Sequence, residues 1–363
     1  MLLGALAATG CAPRKGAGFP GYAFVANGGD RSVAAVDLTR FALVRRIGLD
    51  AAPADILPHP SRPSVLVLMP EIAAVWEIDA AKLAPIRKTR LAGAALSMQL
   101  SADGKSLWVL QPRALVRLDC DRLRPVQSIR LPGIAGSFDV SRNGRAAIGL
   151  PALSQLALAE TDSGAIERTA AGAEPSLVRF QSDGKQVLVA SRADRSLTIL
   201  ESVTGRTVVR LPLPVEPANF CFTPDGGQLF VTGPGMDAVA IVFPYRTEVG
   251  ETILAGRAPD GMAVSTTPAY LFVANPTSGS ITVLDIDTRK LVAVVAVGEE
   301  PRHILITPDN EYALVLNRRS GDMGVVHIPA FRARRHRTDP PPLFTMVPVG
   351  QQPAGAAVVR SIT

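Results

Sequence analysis

The sequence predicts an all-β protein folded as a β-propeller, a ring of small four-stranded antiparallel sheets called blades. Two observations predict this fold. A strand pattern restarts at a nearly constant interval along the chain, and each interval holds four short strands separated by turn residues. A period of about 40–45 residues with four strands per repeat is typical of a propeller with one blade per repeat. No stretch shows the apolar spacing of an amphipathic helix.

The clearest repeat runs from Tyr270 to Glu311. It opens with YLFVAN, which alternates at period 2 and is rich in aromatic and β-branched residues, as strands are. Turn residues follow, and then the strands SITVLDI and LVAVVAVG. The strand RHILITP comes after Pro301 and ends in the turn PDN. Four strands of this length predict one blade.

Eight such repeats align along the chain, with successive starts 42, 42, 40, 40, 42, 42 and 42 residues apart. The starts are Tyr22, Ser64, Ser106, Ala146, Gln186, Gln228, Tyr270 and Tyr312. Six repeats carry a proline ahead of their last strand, namely Pro53, Pro175, Pro217, Pro259, Pro301 and Pro353. The alignment favours eight blades. Seven is the alternative, in which one degenerate repeat lies outside the ring.

The segment YLFVANPTSGSITVLDI followed by VAVGEEPRHILITPDN resembles the YVTN-type β-propeller repeat, a bacterial relative of WD40-like repeats. The resemblance covers residues 22–363 and is strongest over 186–328. It implies a propeller in the cell envelope and no single activity.

By the same resemblance, the strand before each Asp-Gly turn is the innermost strand of its blade. Counted outward from the innermost strand, YAFVAN at the start of the chain is the second strand of a blade. The chain ends with an innermost strand, GAAVVRSI. We therefore expect residues 355–362 to pair with 22–27 and close the ring, which removes two open strand edges. The predicted organisation is a leader and tether over 1–21 and one propeller domain over 22–363.

The N-terminal stretch MLLGALAATGC resembles a bacterial lipobox, which predicts cleavage before Cys11 and lipidation of its side chain. No Lys or Arg precedes the apolar run, so an ordinary cleavable leader remains the alternative. The run is too short to span a membrane as a helix. We expect an exported protein, held to the membrane by its lipid alone, in the periplasm or on the outer surface.

Signatures of most enzyme classes are absent from the sequence. It contains no HExxH, CxxC, GxSxG or P-loop motif. With four histidines and no CxxCH, we expect no metal site and no cofactor. Cys120 and Cys221 fall in different repeats, so we expect no disulfide between them. The net charge of +6 is mostly dispersed and does not argue for nucleic-acid binding.

Polar residues of the innermost strands are the candidate ligand site. Those placed two residues after the recurring proline position should lie at the mouth of the central channel: Asp55, Ser97, Ser137, Asn219 and His303. Two residues deeper, neighbouring blades contribute Gln99, Asp139 and Arg179. Convergent polar groups in a concave place can bind a ligand, and the alternative is a structural network around channel water. We expect Gly261 and Gly355 to leave space beside them.

A basic insertion interrupts the last repeat over residues 330–342. It contains Arg332, Arg334, Arg335 and Arg337. An anionic partner such as lipid headgroups, a polysaccharide or an acidic protein is one interpretation, and a solvated insertion is the other. Only Phe331 could stack on a base there, so nucleic acid is disfavoured. The insertion should lie on the face opposite the channel mouth.

Two functions compete at this point. The first is a non-catalytic, envelope-anchored binding or scaffold propeller, a monomer that takes a protein or small ligand at the face of the channel mouth. The second is a propeller enzyme, resembling a lactonase, or a cofactor-binding propeller with its site at that mouth. Asp55, Asn219 and His303 are the only suggestive catalytic groups, and His303 and Asp55 should flank the blade of Gly355.

Overall fold

A computed structural model describes residues 18–331 and 341–360. These residues form 32 β-strands, grouped in eight antiparallel sheets of four. Three short 3₁₀ helices, Pro151–Leu153, Pro244–Arg246 and Ile328–Phe331, interrupt the connections. Among these residues, no helix has the length and apolar character needed to cross a membrane. The predicted eight-bladed propeller is confirmed.

Each blade comprises four strands that follow one another in the chain, except blade 1, which is shared between the two chain ends. Blade 1 contains β1 (Gly21–Asn27), β2 (Ser32–Asp37), β3 (Ala42–Gly48) and β32 (Pro353–Arg360). Blade 2 contains β4 (Asp55–Pro58), β5 (Ser64–Met69), β6 (Ala74–Asp79) and β7 (Ala84–Arg90). Blade 3 contains β8 (Ser97–Leu100), β9 (Ser106–Gln111), β10 (Ala114–Asp119) and β11 (Arg124–Arg130). Blade 4 contains β12 (Phe138–Val140), β13 (Arg145–Leu150), β14 (Gln155–Glu160) and β15 (Ile166–Ala170).

The second half of the chain continues this order without interruption. Blade 5 contains β16 (Pro175–Phe180), β17 (Gln186–Ser191), β18 (Ser196–Glu201) and β19 (Thr207–Pro212). Blade 6 contains β20 (Asn219–Phe222), β21 (Leu229–Thr232), β22 (Ala238–Phe243) and β23 (Glu248–Leu254). Blade 7 contains β24 (Met262–Val264), β25 (Tyr270–Asn275), β26 (Ser280–Asp285) and β27 (Leu291–Ala296). Blade 8 contains β28 (Pro301–Ile306), β29 (Tyr312–Asn317), β30 (Asp322–His327) and β31 (Leu343–Pro348).

The ring closes as the sequence predicted. Strand β1 pairs on one side with β2 and on the other with β32, where Phe24 lies opposite Ala357. Blade 1 therefore has its innermost strand from the C-terminal end of the chain, and neither end leaves an unpaired inner edge.

The core lies in the seams between neighbouring blades. All six residues of β5 are buried, because both faces of a central blade strand pack against a neighbouring blade. Every one of the eight seams holds its own apolar cluster, for example Phe24 of blade 1 against Val65 of blade 2. The outermost strands are exposed, as in β3. Burial of this kind stabilises the fold by about 1.5–3 kcal/mol per large apolar side chain.

The two faces of the ring carry different connections. The loops leading into the innermost strands and the turns between second and third strands share one face, which we call the upper face. Asp-Gly turns and the turns between third and fourth strands form the opposite face. Acidic residues there bond local backbone, as Asp79 does to the amides of Ala81 at 2.9 Å and Lys82 at 2.7 Å. These acids stabilise turns.

Candidate ligand site at the channel mouth and upper face

The innermost strands present side chains alternately to their two neighbouring blades. In blade 2, Ile56 packs back on Phe24 of blade 1, whereas Leu57 packs forward on Met98 of blade 3. The predicted mouth residues and the deeper polar residues occupy forward-facing positions. Each of these side chains can therefore reach the next blade as well as the channel, so its hydrogen-bond partners can come from either.

Asp55 is bonded to backbone. Its carboxylate accepts a hydrogen bond from the amide of Ile56 at 2.8 Å. Burial raises the pKa of Asp55, and the amides of Ile56 and of Met98 in blade 3 partly oppose that rise. An innermost strand has one unpaired edge, so its amides need acceptors of this kind. Asp55 therefore joins blade 2 to blade 3.

Asn219 begins a polar chain that runs from the channel mouth across the upper face. Its amide donates to Asp260 at 2.8 Å, and the other carboxylate oxygen of Asp260 accepts from Arg302 at 2.6 Å. Arg302 also donates through Nε to Glu300 at 2.8 Å. The chain joins blades 6, 7 and 8 and leads outward from the axis.

The His303 side chain has no hydrogen-bond partner among residues 18–331 and 341–360. Burial lowers the pKa of His303, so its imidazole is neutral at physiological pH. Asp55 flanks the blade of Gly355 on the other side, as expected, but within the described residues no hydrogen bond links it to His303. Ser137 Oγ is also buried without a partner in that part of the chain. The mouth therefore contains polar groups but no assembled acid–base pair.

We expected the two glycines of the mouth, Gly261 and Gly355, to leave space, and one of them does not. The expectation is wrong for Gly261, because a Cβ there would lie 1.9 Å from the carbonyl oxygen of Arg302. The backbone of blade 8 fills that space, and glycine is needed for the close approach. At Gly355 the nearest atom to such a Cβ is Ile56 Cγ2 at 3.6 Å, an ordinary contact.

The deeper trio forms a network across three blades. Gln99 donates to Asp139 Oδ1 at 2.6 Å, and Asp139 Oδ2 accepts from the amide of Phe180 at 2.6 Å. Burial raises the pKa of Asp139, while the charge of Arg179 and these donors act in the opposite direction. Arg179 itself donates to the carbonyl of Val178 at 2.9 Å. The carboxylate of Asp139 is thus satisfied and ties blades 3, 4 and 5 together.

The upper face carries a groove that the sequence did not predict. Three adjoining cavities of about 650, 560 and 710 Å³ follow the seams of blades 6 and 7, blades 7 and 8, and blades 8 and 1. The first and second share Thr277 and Arg302, and the second and third share Glu300 and Arg319. No aromatic side chain is among the described residues that line them.

A buried charged cluster on the opposite face was also missed. The Glu77 side chain is fully buried and lies 2.7 Å from Arg87 and 3.1 Å from Arg62, and it accepts from Ser64 at 2.8 Å. Arg62 also contacts His59 at 2.7 Å. The signal was available, because Glu77 interrupts the apolar strand AVWEID at a position that is apolar in most other third strands.

The two described cysteines are free thiols in different blades, so the expectation of no disulfide between them is confirmed. Burial raises the pKa of Cys120 to about 11 and that of Cys221 to about 12, which keeps both thiols protonated and unreactive. In residues 18–331 and 341–360 no group of three or more His, Cys, Asp or Glu side chains could hold a metal ion.

Several predicted residues lie outside the described part of the chain: Cys11, Arg332, Arg334, Arg335 and Arg337. The insertion itself follows Phe331, between β30 and β31. Phe331 packs edge-on against Tyr270, with 6.2 Å between ring centroids, and is partly buried. Phe331 therefore packs against the propeller, which argues further against its stacking on a nucleic-acid base.

Comparison with known proteins supports the fold. No known protein family and no curated protein sequence matches the chain. Among solved structures, dihydro-heme d1 dehydrogenase NirN in complex with DHE is similar with a TM-score of 0.77 and 17% identity, covering 96% of this chain and 77% of that one. At such identity the similarity defines an eight-bladed β-propeller and nothing finer.

Two further structures show the same relationship. A functionally unknown protein from Desulfotomaculum acetoxidans has a TM-score of 0.63 at 16% identity, covering 78% of this chain and 98% of that chain. Kuenenia stuttgartiensis hydrazine synthase has a TM-score of 0.57 at 18% identity, covering 89% of this chain and 99% of the other. No family match confirms the YVTN-type repeat, which rests on the sequence resemblance alone.

Proposed function

We propose that this chain is a non-catalytic binding propeller of the cell envelope, whose upper face takes a protein partner or a small ligand. The observation that carries the proposal is the continuous groove over blades 6, 7, 8 and 1. Concave surfaces with a few convergent polar groups are where ligands bind most often. The absence of aromatic side chains from its described lining speaks against the stacking of bases.

The contacts of the channel mouth favour binding over catalysis. Asp55 and Asp139 are bonded to backbone amides, and Asn219 is bonded to Asp260. Groups held in this way support the ring and are not poised to transfer a proton to a substrate. A propeller of this kind can carry a ligand, as the structure of NirN in complex with DHE illustrates for another protein.

The binding surface can be tested with a photo-crosslinking amino acid placed at one exposed position on each face. Thr277 lies in the groove, and Asp162 lies in a turn on the opposite face, where its side chain is 94% exposed. In living cells we expect specific adducts from position 277 and none from position 162. Adducts from position 162 alone, or none from either position, would exclude a protein partner on the upper face. The proposal would then stand only for a small ligand, and it would be overturned if no compound of a small-molecule screen raised the melting temperature.

The membrane anchor remains a proposal supported by Gly10-Cys11 and the apolar run before them. Expressed behind a complete leader in a bacterium, the protein should partition with membranes, and Cys11→Ser should release it. Equal partitioning of both forms would contradict the anchor.

The basic insertion remains a proposed contact with an anionic surface. Replacing Arg332, Arg334, Arg335 and Arg337 by Ser should leave stability nearly unchanged, because exposed charges contribute little. It should weaken salt-sensitive binding to anionic vesicles or glycans. If the unaltered protein binds neither at low salt, the insertion has no such role.

His303 favours a second candidate, a cofactor or hydrolase site at the channel mouth, because its neutral imidazole has no described partner. Neutral imidazole can ligate a metal or act as a base. An absorbance spectrum and metal analysis of purified protein, with lactone hydrolysis assayed on the unaltered chain and on His303→Ala, test this candidate. A featureless spectrum, no bound metal and no hydrolysis would exclude it.

A further inference from the structure

We infer that the upper-face pocket between blades 8 and 1 binds multivalent oxyanions, meaning compounds that carry several carboxylate or phosphate groups. This inference rests on the proposed function, because it assigns ligand chemistry to one end of the same groove. The pocket measures about 710 Å³. It is formed by the turn between β29 and β30, the loops into β28 and β32, and Arg46 of β3.

The charges of the pocket are unbalanced. Three arginines are among the residues that line it, Arg46, Arg318 and Arg319, against one acidic residue, Glu300. Glu300 is already engaged, because it accepts from Arg302 Nε at 2.8 Å. Arg318 and Arg319 are exposed and have no carboxylate within 4.0 Å among the described residues. Arg46 reaches only Asp30, at 3.8 Å.

The ionisation of Glu300 points the same way. The hydrogen bond from Arg302 lowers the pKa of Glu300, and the positive charges of Arg318 and Arg319 lower it further. Both arginines therefore place positive potential inside the pocket. An added anion would meet the same attraction, which is strongest at low ionic strength.

The backbone around these arginines is fixed. The amides of Arg318 and Arg319 donate to the carbonyls of Glu300 at 2.9 Å and Glu299 at 3.2 Å. A Cβ at Gly321 would lie 2.7 Å from the carbonyl oxygen of Gly350, so the two loops touch through backbone alone. A site on a pre-organised frame loses less entropy when it binds.

Neutral groups complete the site. Ser320 Oγ accepts from the amide of Glu299 at 3.1 Å, which leaves its own hydrogen to be donated. The side chains of Gln351 and Gln352 also line the pocket and can donate. Guanidinium groups bind carboxylates and phosphates through paired hydrogen bonds. Because three of them are spread around one large pocket, a ligand with several anionic groups engages more of them than a single small anion.

The test uses citrate and pyrophosphate as probes, with acetate at matched ionic strength as the monovalent control. The informative variant is Arg318→Ser with Arg319→Ser. Its matched control is Arg122→Ser with Arg124→Ser, which removes the same charge from exposed positions on the opposite face of blade 3. Binding is measured by calorimetry and by the rise in melting temperature that a bound ligand produces.

We expect citrate, pyrophosphate or both to bind more tightly than acetate. The variant with Arg318→Ser and Arg319→Ser should bind the probe at least about ten times more weakly, a loss of about 1.4 kcal/mol in binding free energy. The control variant should bind like the unaltered chain. The two probes show whether carboxylate or phosphate is preferred. Equal weakening in both variants, or no binding of either probe to the unaltered chain, would overturn the inference.

The photo-crosslinking experiment separates this inference from the proposed function. If position 277 forms adducts while neither probe binds, the groove binds a partner and the oxyanion pocket is wrong. If the probes bind as expected while no adduct forms from position 277, the pocket stands and a protein partner on the upper face is excluded.

Discussion

Replacing Glu77 by Gln tests the buried charged cluster on the opposite face. The change keeps the shape of the side chain and removes its charge. In the folded chain the Glu77 side chain has no solvent exposure and lies 3.1 Å from Arg62 and 2.7 Å from Arg87. Glutamine can still accept from Ser64, but Arg87 loses its counter-charge and Arg62 keeps only that of the exposed Asp121, at 3.8 Å.

The expected loss of stability depends on how well water can solvate the two arginines once the charge of Glu77 is gone. Removing one partner of a fully buried ion pair costs about 3–5 kcal/mol. The side chains of Arg62 and Arg87 are 32% and 35% exposed, so water solvates them in part. We therefore expect Glu77→Gln to lower the free energy of unfolding by about 2–3 kcal/mol.

Urea unfolding followed by circular dichroism measures this difference directly. The matched control is Glu160→Gln, since Glu160 pairs with Arg145 at 3.3 Å while its side chain is 54% exposed. That control should cost at most about 1 kcal/mol. If Glu77→Gln is no less stable than Glu160→Gln, the reasoning from burial is refuted.

Three further predictions concern the ring and its channel. Deleting residues 355–363 removes most of β32 and exposes the inner edge of β1. Thermal unfolding should then lose cooperativity, or the chain should aggregate. If the shortened chain melts like the full chain, the pairing of β1 with β32 is contradicted. Because burial raises the pKa of Asp139 above its usual 3.8, the folded state holds that proton more tightly. The stability of the unaltered chain relative to Asp139→Asn should then fall as pH rises from about 3.8 toward the folded pKa, and a flat difference in urea unfolding would refute the shift. Asp55→Ala should lower the free energy of unfolding by about 1–3 kcal/mol, because it leaves backbone amides without an acceptor. His303→Ala should lower it by less. If thermal denaturation shows the reverse order, the structural role belongs to His303 and not to Asp55.

The fold was predictable because its signals are local and repeated. Period-2 alternation and turn chemistry recur in every unit, and the second strands β5 and β25 begin at the predicted Ser64 and Tyr270. The role of the C-terminal strand followed from counting strand types at the two chain ends. The strand and turn signals use neighbouring residues only, whereas the closure of the ring also needed the resemblance that identifies the innermost strand.

The candidate site was less predictable because its contacts cross seams. The sequence placed Asn219 on an innermost strand but could not show that its partner is Asp260 in the loop of the next blade. It marked Gly261 as open, whereas the backbone of Arg302 occupies that space. The upper-face groove arises where separate loops meet, and no single stretch of sequence contains it.

The shared composition of blade 1 has a consequence for the order of folding. Tyr22 pairs with Val359, whereas within blade 8 the first two strands join Pro301 to Asn317. The sequence separation is about twenty times larger, which costs about 2.7 kcal/mol more in chain entropy when the contact forms. Blades 2 to 8 can each form from consecutive residues, but the ring cannot close until the last strand has been synthesised. Joining the two ends is therefore expected to be a late and slow step of folding.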